Sequence, residues 1–394
     1  MKKIFILIIA LLGLSGCYNY RELSDLAIMT AVAIDRVDDS FQLTIQVVNP
    51  KKQQDSSNAN QPDFVVYTTK DKSLQKAFRK VVNMAPKRVY AAHLQLLVLS
   101  EKVATDYTDE IVDFFIREPE VRDEFQVLVA KGSEASDKLE VITPLTTLSS
   151  MDIFNTLDSN KKYLGSVSSV TFNDFMHAYL DPNTEMVLPV LEIVGDSEEG
   201  KKQENVETSI SSANLKLASM AIFKDNKLVK ILDEDDSINL NMLLGELNET
   251  IIQYECEEDK YAAFEIISSD SELEVDPEKN KAIFTITGHA SVNEVQCALD
   301  LRKIEVGNKM REELNKTIKN ALLDTINTIR NDYNTDVFGI KDSFYKHYPD
   351  YFKKIDDKWY DEVFPNLDID VDVSIRLYEK GNILGGTEYD KREN

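Results

Sequence analysis

The sequence predicts an α+β protein: three consecutive mixed α/β domains, each a small sheet with packed helices, behind a cleaved N-terminal signal peptide. Three observations lead there. The chain has 394 residues, room for two to four domains at roughly 100–200 residues each. Apolar residues make up 43% and charged residues 29%, the balance of a folded chain. Short β-rich runs are interspersed with helix-period stretches. Glycine is scarce, 13 in all, whereas doubly wound nucleotide-binding folds need it for phosphate loops and tight βα turns.

The first element is not part of the fold. Lys2 and Lys3 precede an unbroken apolar run from Ile4 to Leu12. A bilayer-spanning helix needs about 20 residues, so this run is a signal h-region. Leu14-Ser15-Gly16-Cys17 follows and resembles a bacterial lipobox. The small pair fits a narrow peptidase site, and the Cys17 thiolate accepts a diacylglyceryl group as a thioether. Residues 1–16 are expected to be cleaved as a lipoprotein signal peptide, leaving Cys17 with S-diacylglyceryl and N-acyl groups. Two or more acyl chains give stable membrane anchoring. Regular apolar sequence resumes near Leu26, so the tether lifts the body at most about 30 Å from the bilayer. With a net charge of −24, the body as a whole is drawn neither to phosphate backbones nor to anionic lipid. Nucleic acid is excluded as a partner, and a protein partner is expected to orient the body.

The N-terminal domain is expected over 17–135. Leu26–Asp35 and Phe41–Val48 read as strands around a turn at Asp38-Asp39-Ser40, and Lys51–Pro62 as a polar loop. Phe64–Thr69 is a strand. Lys72–Met84 carries Leu74, Ala77, Phe78, Val81 and Val82 at helical spacing before Pro86. Leu94–Leu99 is a buried strand, Val103–Ile116 an amphipathic helix and Phe125–Ala130 another strand. A middle domain is expected over 136–246: a helical stretch to about Leu180, a strand at Glu185–Val194, and a polar linker or insertion near 195–212. A hairpin then turns at Asp225-Asn226, and a helix covers Ile238 to Leu247. The C-terminal domain, 247–380, begins with strands at Glu249–Tyr254, Ala262–Ser268 and Lys281–His289. Its clearest element is a long amphipathic helix from about Asn308 to Tyr333, with Met310, Leu314, Ile318, Leu322, Ile326 and Ile329 in one stripe. Strict alternation over Leu367–Leu377 gives a strand with one packed face and one wet face. Residues 381–394 read as a tail.

Several segments carry a family resemblance. Cys17-Tyr18-Asn19-Tyr20-Arg21-Glu22-Leu23, followed by Leu26-Ala27, resembles the mature start of the Ger(x)C family, the C subunits of spore germination receptors. Ala33-Ile34-Asp35 and Gln46-Val47-Val48-Asn49-Pro50 resemble its first hairpin. Arg88-Val89-Tyr90 with His93, and Phe115-Ile116-Arg117-Glu118 with Arg122, are similar to two further segments. Ala221-Ile222-Phe223-Lys224 with Lys227-Leu228 resembles its central hairpin. Asp336-Val337-Phe338-Gly339-Ile340, then Trp359 and Phe364, resemble its C-terminal signature. The chain departs from the family where Thr69-Lys70-Asp71-Lys72 lacks a glycine and where Lys230 stands in place of one. The resemblance implies a three-domain α+β lipoprotein on the outer face of the spore inner membrane. Its implied partners are a membrane-embedded A subunit and a transporter-like B subunit, in a receptor for small-molecule germinants; whether this subunit meets the germinant directly or indirectly is left open. It implies no enzyme activity. The competing class is a solute-binding lipoprotein of a transporter, which requires two doubly wound lobes around a hinged cleft.

Reactive chemistry is not visible. His93, His177, His289 and His347 lack a second His or Cys at zinc-ligand spacing. There is no nucleophile elbow, P-loop or dinucleotide-binding glycine motif. The acid runs Asp233–Asp236 and Glu255 to Asp259 read as solvated turns, because calcium loops need alternating ligands and the first run lacks the central glycine. No catalytic, metal or cofactor residue is assigned. Cys256 and Cys297 read as buried unpaired thiols, although export permits a disulfide. Arg117 and Arg122 around Glu118 and Glu120 read as a surface ion-pair cluster, and Trp359 as a core residue.

Overall fold

The structure, a computed structural model, describes residues 25–49, 63–146 and 148–379. The expected signal peptide, Cys17, the loop over Lys51–Pro62 and the tail lie outside the described residues. The chain is of the mixed α+β class expected, and its described strands form two sheets.

The first sheet starts with the expected hairpin. β1 (Leu26–Val37) and β2 (Ser40–Val48) are antiparallel. Asp38 and Asp39 both take positive φ, 48° and 56°, as a two-residue hairpin turn matching the twist of its strands requires. β3 (Phe64–Asp71) adds an antiparallel edge. On the other side of β1 come β5 (Leu96–Ser100), β6 (Gln126–Lys131) and β7 (Val187–Gly195), all parallel. Parallel strands need crossovers and are covered on both faces. Accordingly, Leu96 to Leu99 and Val127 to Ala130 are fully buried. β8 (Ala213–Lys224) and β9 (Lys227–Ile231) close the sheet antiparallel. A short strand, β4 (Arg88–Tyr90), pairs in parallel with the start of β1. The sheet runs unbroken past residue 135, a continuity that local sequence patterns do not signal.

One face of this sheet packs against α1 (Leu74–Lys80), α2 (Glu101–Asp106) and α3 (Thr108–Arg117). The single helix expected over Val103–Ile116 is two. It breaks at Tyr107 (φ −135°, ψ 24°), whose ring turns in to meet Phe41 edge-on at 5.4 Å and the Arg36 guanidinium at 4.6 Å. On the other face lie α4 (Ala135–Glu140) and α5 (Ser149–Tyr163), while α6 (Phe172–Leu180) joins the first side through Phe172 and Phe175.

The segment near 195–212 is tied down. It holds α7 (Ser197–Gly200). Asn205 is buried and donates to the Ile142 and Ala213 carbonyls while accepting from the Ala213 N–H. Lys201 reaches Asp137, Glu140 and Glu198.

α8 (Glu234–Leu243) leads into the second sheet. There β10 (Thr250–Glu257), β11 (Lys260–Asp276) and β12 (Lys281–Val295) form an antiparallel meander. β13 (Asp368–Glu379) adds in parallel to β12. That parallel step requires a crossover, which is the long helix α9 (Ile304–Thr328), extended by a wide turn over Ile329–Tyr333. The expected apolar stripe is its buried face and packs against Val371 and Ile375 of β13. The described strands do not make the two doubly wound lobes that the solute-binding alternative requires.

Two expectations are corrected. Cys256, on β10, and Cys297, just past β12, form a disulfide across 41 residues, with Cα atoms 6.3 Å apart. The hairpin partners Glu257 and Lys260, with the strand pairing of β11 and β12, bring the two thiols together. Sequence distance hides this. The acid run Asp233–Asp236 is not a solvated turn but the start of α8. Asp233 caps it by accepting the Asp236 N–H at 2.8 Å, and acids in a first turn complement the helix dipole.

Candidate functional site at the junction of the sheets

The segments that resemble family motifs meet one another in space. Asp35 and Gln46, from the first hairpin, both bind the chain after residue 134. Asp35 is buried and accepts the N–H groups of Ala135 at 2.6 Å and Ser136 at 3.0 Å, holding the first turn of α4. Burial raises its carboxyl above the ordinary value despite those bonds. Gln46, fully buried, donates to the Leu139 carbonyl at 3.0 Å and the Ser149 hydroxyl at 2.6 Å. Its oxygen accepts from the Ser150 N–H and the Thr30 hydroxyl. These hydrogen bonds fasten the first hairpin to α4 and α5 across more than ninety residues of chain.

The C-terminal signature builds the densest site. Asp336 is buried and accepts three backbone N–H groups, from Phe338 at 3.2 Å, Ile340 at 3.3 Å and Lys341 at 2.6 Å. Gly339 makes that loop possible, because it takes φ +77° before α10 (Ile340–His347). Burial outweighs the three bonds and pushes the Asp336 carboxyl up to about 6. Next to the signature, the Thr335 hydroxyl donates to the Phe223 carbonyl at 2.8 Å, which fixes it to the central hairpin. Lys341 is buried and donates to the Pro182 carbonyl at 2.9 Å, with Asp356 3.1 Å away. The Tyr360 hydroxyl donates to Glu185 at 2.7 Å, and Glu185 also accepts the Asp225 N–H at 3.0 Å. Burial raises Glu185, and burial followed by the Glu185 charge raises Tyr360. Lys224 lies 4.8 Å from the centre of the Tyr360 ring. Trp359 is a core residue, stacked on Phe364 at 6.0 Å and edge-on to Phe344 at 5.7 Å. The ends of β7 and β8 are thereby bound to the loop and helices before β13.

Of these, Thr335, Lys341, Glu185 and Tyr360 were not marked by the sequence. Tyr360 and Glu185 lie 175 residues apart, and no spacing rule reaches that far. Two other motif segments also meet, since Arg88 of β4 forms an ion pair with Glu120. The expected cluster is arranged differently, with Arg117 bound to Asp113 one turn earlier, at 2.7 Å. His93 stands edge-on to Tyr90 at 5.8 Å. Among the described residues, no group of three or more His, Cys, Asp or Glu side chains is placed to hold a metal. No described helix is long and apolar enough to cross a membrane. What the junction does chemically is fasten: its acids bind backbone donors, a tyrosine and lysines.

Comparison with known proteins agrees with the motifs. Residues 19–193 match the family described as Spore germination protein N-terminal domain, and residues 218–381 match Spore germination B3/GerAC like, C-terminal. The chain belongs to the Ger(x)C family of spore germination proteins. Ger(x)C relatives span its whole length. Spore germination protein KC of Bacillus subtilis (strain 168) is 26% identical, over 95% of each chain. Spore germination protein B3 of the same organism is 23% identical, over 97% of this chain and 98% of the relative. Spore germination protein A3, also 23% identical, aligns over 96% and 98%. The crystal structure of the GerBC protein has the same Ger(x)C fold, with a TM-score of 0.51 at 19% identity over 88% of this chain and 96% of that one. The N-terminal family unit ends on β7 and the C-terminal unit begins on β8, its antiparallel neighbour. The junction site thus takes residues from both units.

Proposed function

We propose that this chain is the lipid-anchored, non-catalytic C subunit of a nutrient germinant receptor, needed for assembly or signalling of the receptor that triggers spore germination. Its partners are then the membrane-embedded A and B subunits, its location the outer face of the spore inner membrane, and its anchor the acylated Cys17. The observation that carries this reading is the match of both family units in order along the chain. The fold supports it, because Lys341 and Tyr360, beside the C-terminal signature, bind Pro182 and Glu185 of the N-terminal unit. A subunit of this kind acts by position. It shifts a receptor equilibrium only by the difference in its contact energy between the resting and triggered states. A body whose units are locked by the Glu185–Tyr360 and Lys341–Pro182 contacts transmits such a difference without dissipating it in internal motion.

The test is dipicolinate release from spores lacking this gene, complemented with the wild-type chain or with Cys17→Ala. Loss of a germinant response that only the wild type restores is the expected outcome. Full rescue by Cys17→Ala would refute the anchor. An intact response to every germinant in a strain also stripped of its other receptors would refute the receptor role.

A further inference from the structure

The net charge of −24 conceals a local reversal. Between Lys72 and Ser100 there are six cations, Lys72, Lys76, Arg79, Lys80, Lys87 and Arg88, and no Asp or Glu. The structure gathers the end of this stretch into one short turn. α1 finishes with Arg79 and Lys80, a tight turn follows over Val81–Asn83, and the chain enters β4 at Arg88. Val82 and Met84 on that turn are 69% and 46% exposed, although large apolar side chains are usually covered. Arg79 and Lys87 have no ion-pair or hydrogen-bond partner among the described residues. Of the nearby acids, Asp71 is paired with Lys76 and Lys80 and Glu120 with Arg88, and Asp25 is exposed at the start of the described chain.

The position of this turn identifies its occupant. β4 pairs in register with the first residues of β1, Arg88 with Leu26 and Tyr90 with Ile28. Arg88, where the segment after the turn enters β4, therefore stands about one strand spacing, ~4.8 Å, from Leu26 near the start of the described chain. Cys17 lies nine residues before Leu26, a span of at most about 30 Å. The part of the body held nearest to the lipid is thus an edge that joins cations to exposed apolar side chains. Cations around exposed apolar side chains are the chemistry of a surface that lies on anionic lipid, the apolar groups entering the headgroup boundary and the cations meeting phosphates.

We propose that the turn over Arg79–Arg88 docks on the surface of an anionic bilayer, with Val82 and Met84 in the headgroup layer and Arg79 and Lys87 on lipid phosphates. This rests on the anchored-subunit reading for the tether. The lipid surface then helps orient a body whose overall charge argues against it, because only the local charge lies within a Debye length of the membrane.

The test uses the full chain on vesicles of phosphatidylcholine with or without phosphatidylglycerol. An environment-sensitive thiol dye is placed at Val82→Cys or, for comparison, at Leu145→Cys, where leucine is 90% exposed on a different part of the surface. Cys256 and Cys297 are closed in their disulfide and take no dye. The expected result is quenching by a lipid-borne quencher at position 82 and not at 145, only with phosphatidylglycerol, and weakening with salt. Arg79→Glu with Lys87→Glu, both on the surface, should lower the ratio of docked to undocked chain by at least about thirtyfold. Equal quenching at 82 and 145, or no change on double charge reversal, overturns the proposal. Quenching at 82 that requires receptor membrane subunits in the vesicle also overturns it and assigns the face to them. If the wild-type chain itself takes dye, Cys17 is free and the anchor reading fails. The same two probes in a Cys17→Ala chain then decide docking: quenching confined to 82 supports it, and equal quenching refutes it.

Discussion

Replacing Asp336 with asparagine should destabilise the protein in acid and lose that effect as pH rises. The folded carboxyl titrates at about 6, against an ordinary value of 3.8. A group whose folded value is raised keeps its proton longer in the native state. Its stabilising contribution is complete below the unfolded value and is lost as pH rises through the folded one. A shift of about two units corresponds to about 3 kcal/mol. Asparagine has no charge to bury, so it escapes that loss. It also has only one oxygen for three backbone donors, now shared between Oδ1 and Oδ2. One or two N–H groups then lose their acceptor, at about 1–3 kcal/mol each. Asp336→Asn should therefore destabilise the protein near pH 4 and approach neutrality near pH 8, its effect moving by about 3 kcal/mol between them. Glu185, also raised by burial, is present in both proteins and largely cancels in the difference. Urea unfolding followed by the fluorescence of Trp359, the only tryptophan and part of this junction, measures it directly. A difference between the two proteins that is flat from pH 4 to pH 8 would refute the argument that burial dominates at Asp336.

Three other outcomes follow from named contacts. Reducing Cys256–Cys297, or replacing both with alanine, should cost about 4 kcal/mol by the chain-entropy relation for its 41-residue separation; an unchanged urea midpoint with reductant would exclude the bridge. Gln46→Leu strands the Ser150 N–H and takes one partner each from the Leu139 carbonyl and the Thr30 and Ser149 hydroxyls, and should cost about 1–3 kcal/mol in chemical denaturation; a loss under about 0.5 kcal/mol would mean that water reaches the site. Gly288→Ala sets a methyl group against the Ser268 carbonyl oxygen of the neighbouring strand and 3.1 Å from Ile375; a loss of about 1–3 kcal/mol is expected, and a melting temperature equal to wild type would show that β11 yields freely there.

The elements legible in the sequence were those whose signal is local. The hairpin at Asp38-Asp39 and the stripe on α9 depend on neighbours within a few residues, so turn chemistry and periodicity find them. The alternation in β13 was legible because an edge strand has one wet face. The break at Tyr107 was not, because a ring contact with Phe41 across the sheet overrides a good helical period. The disulfide was hidden for the same reason: pairing of β10 with β11 and of β11 with β12 creates the proximity, and sequence separation carries none of it. The junction is an intermediate case. Asp336-Val337-Phe338-Gly339-Ile340 was recognisable as a motif, but what the motif is for depends on Glu185, Phe223 and Tyr360, which fold in from elsewhere.

Charge gives the sharpest instance of this difference. A sum over the whole chain is dominated by acids spread over loops and exposed strand faces, and it predicts repulsion from a membrane. Screening confines such interactions to about 8–10 Å at physiological salt, so an anchored body responds to the charge of the edge it presents. The register of β4 on β1 decides which edge that is. It places Arg88, with Lys87 before it, beside the start of the described chain, and the acid-rich β11 belongs to the other sheet. The quantity that governs orientation is therefore a product of the fold, and a three-residue strand pairing determines its sign.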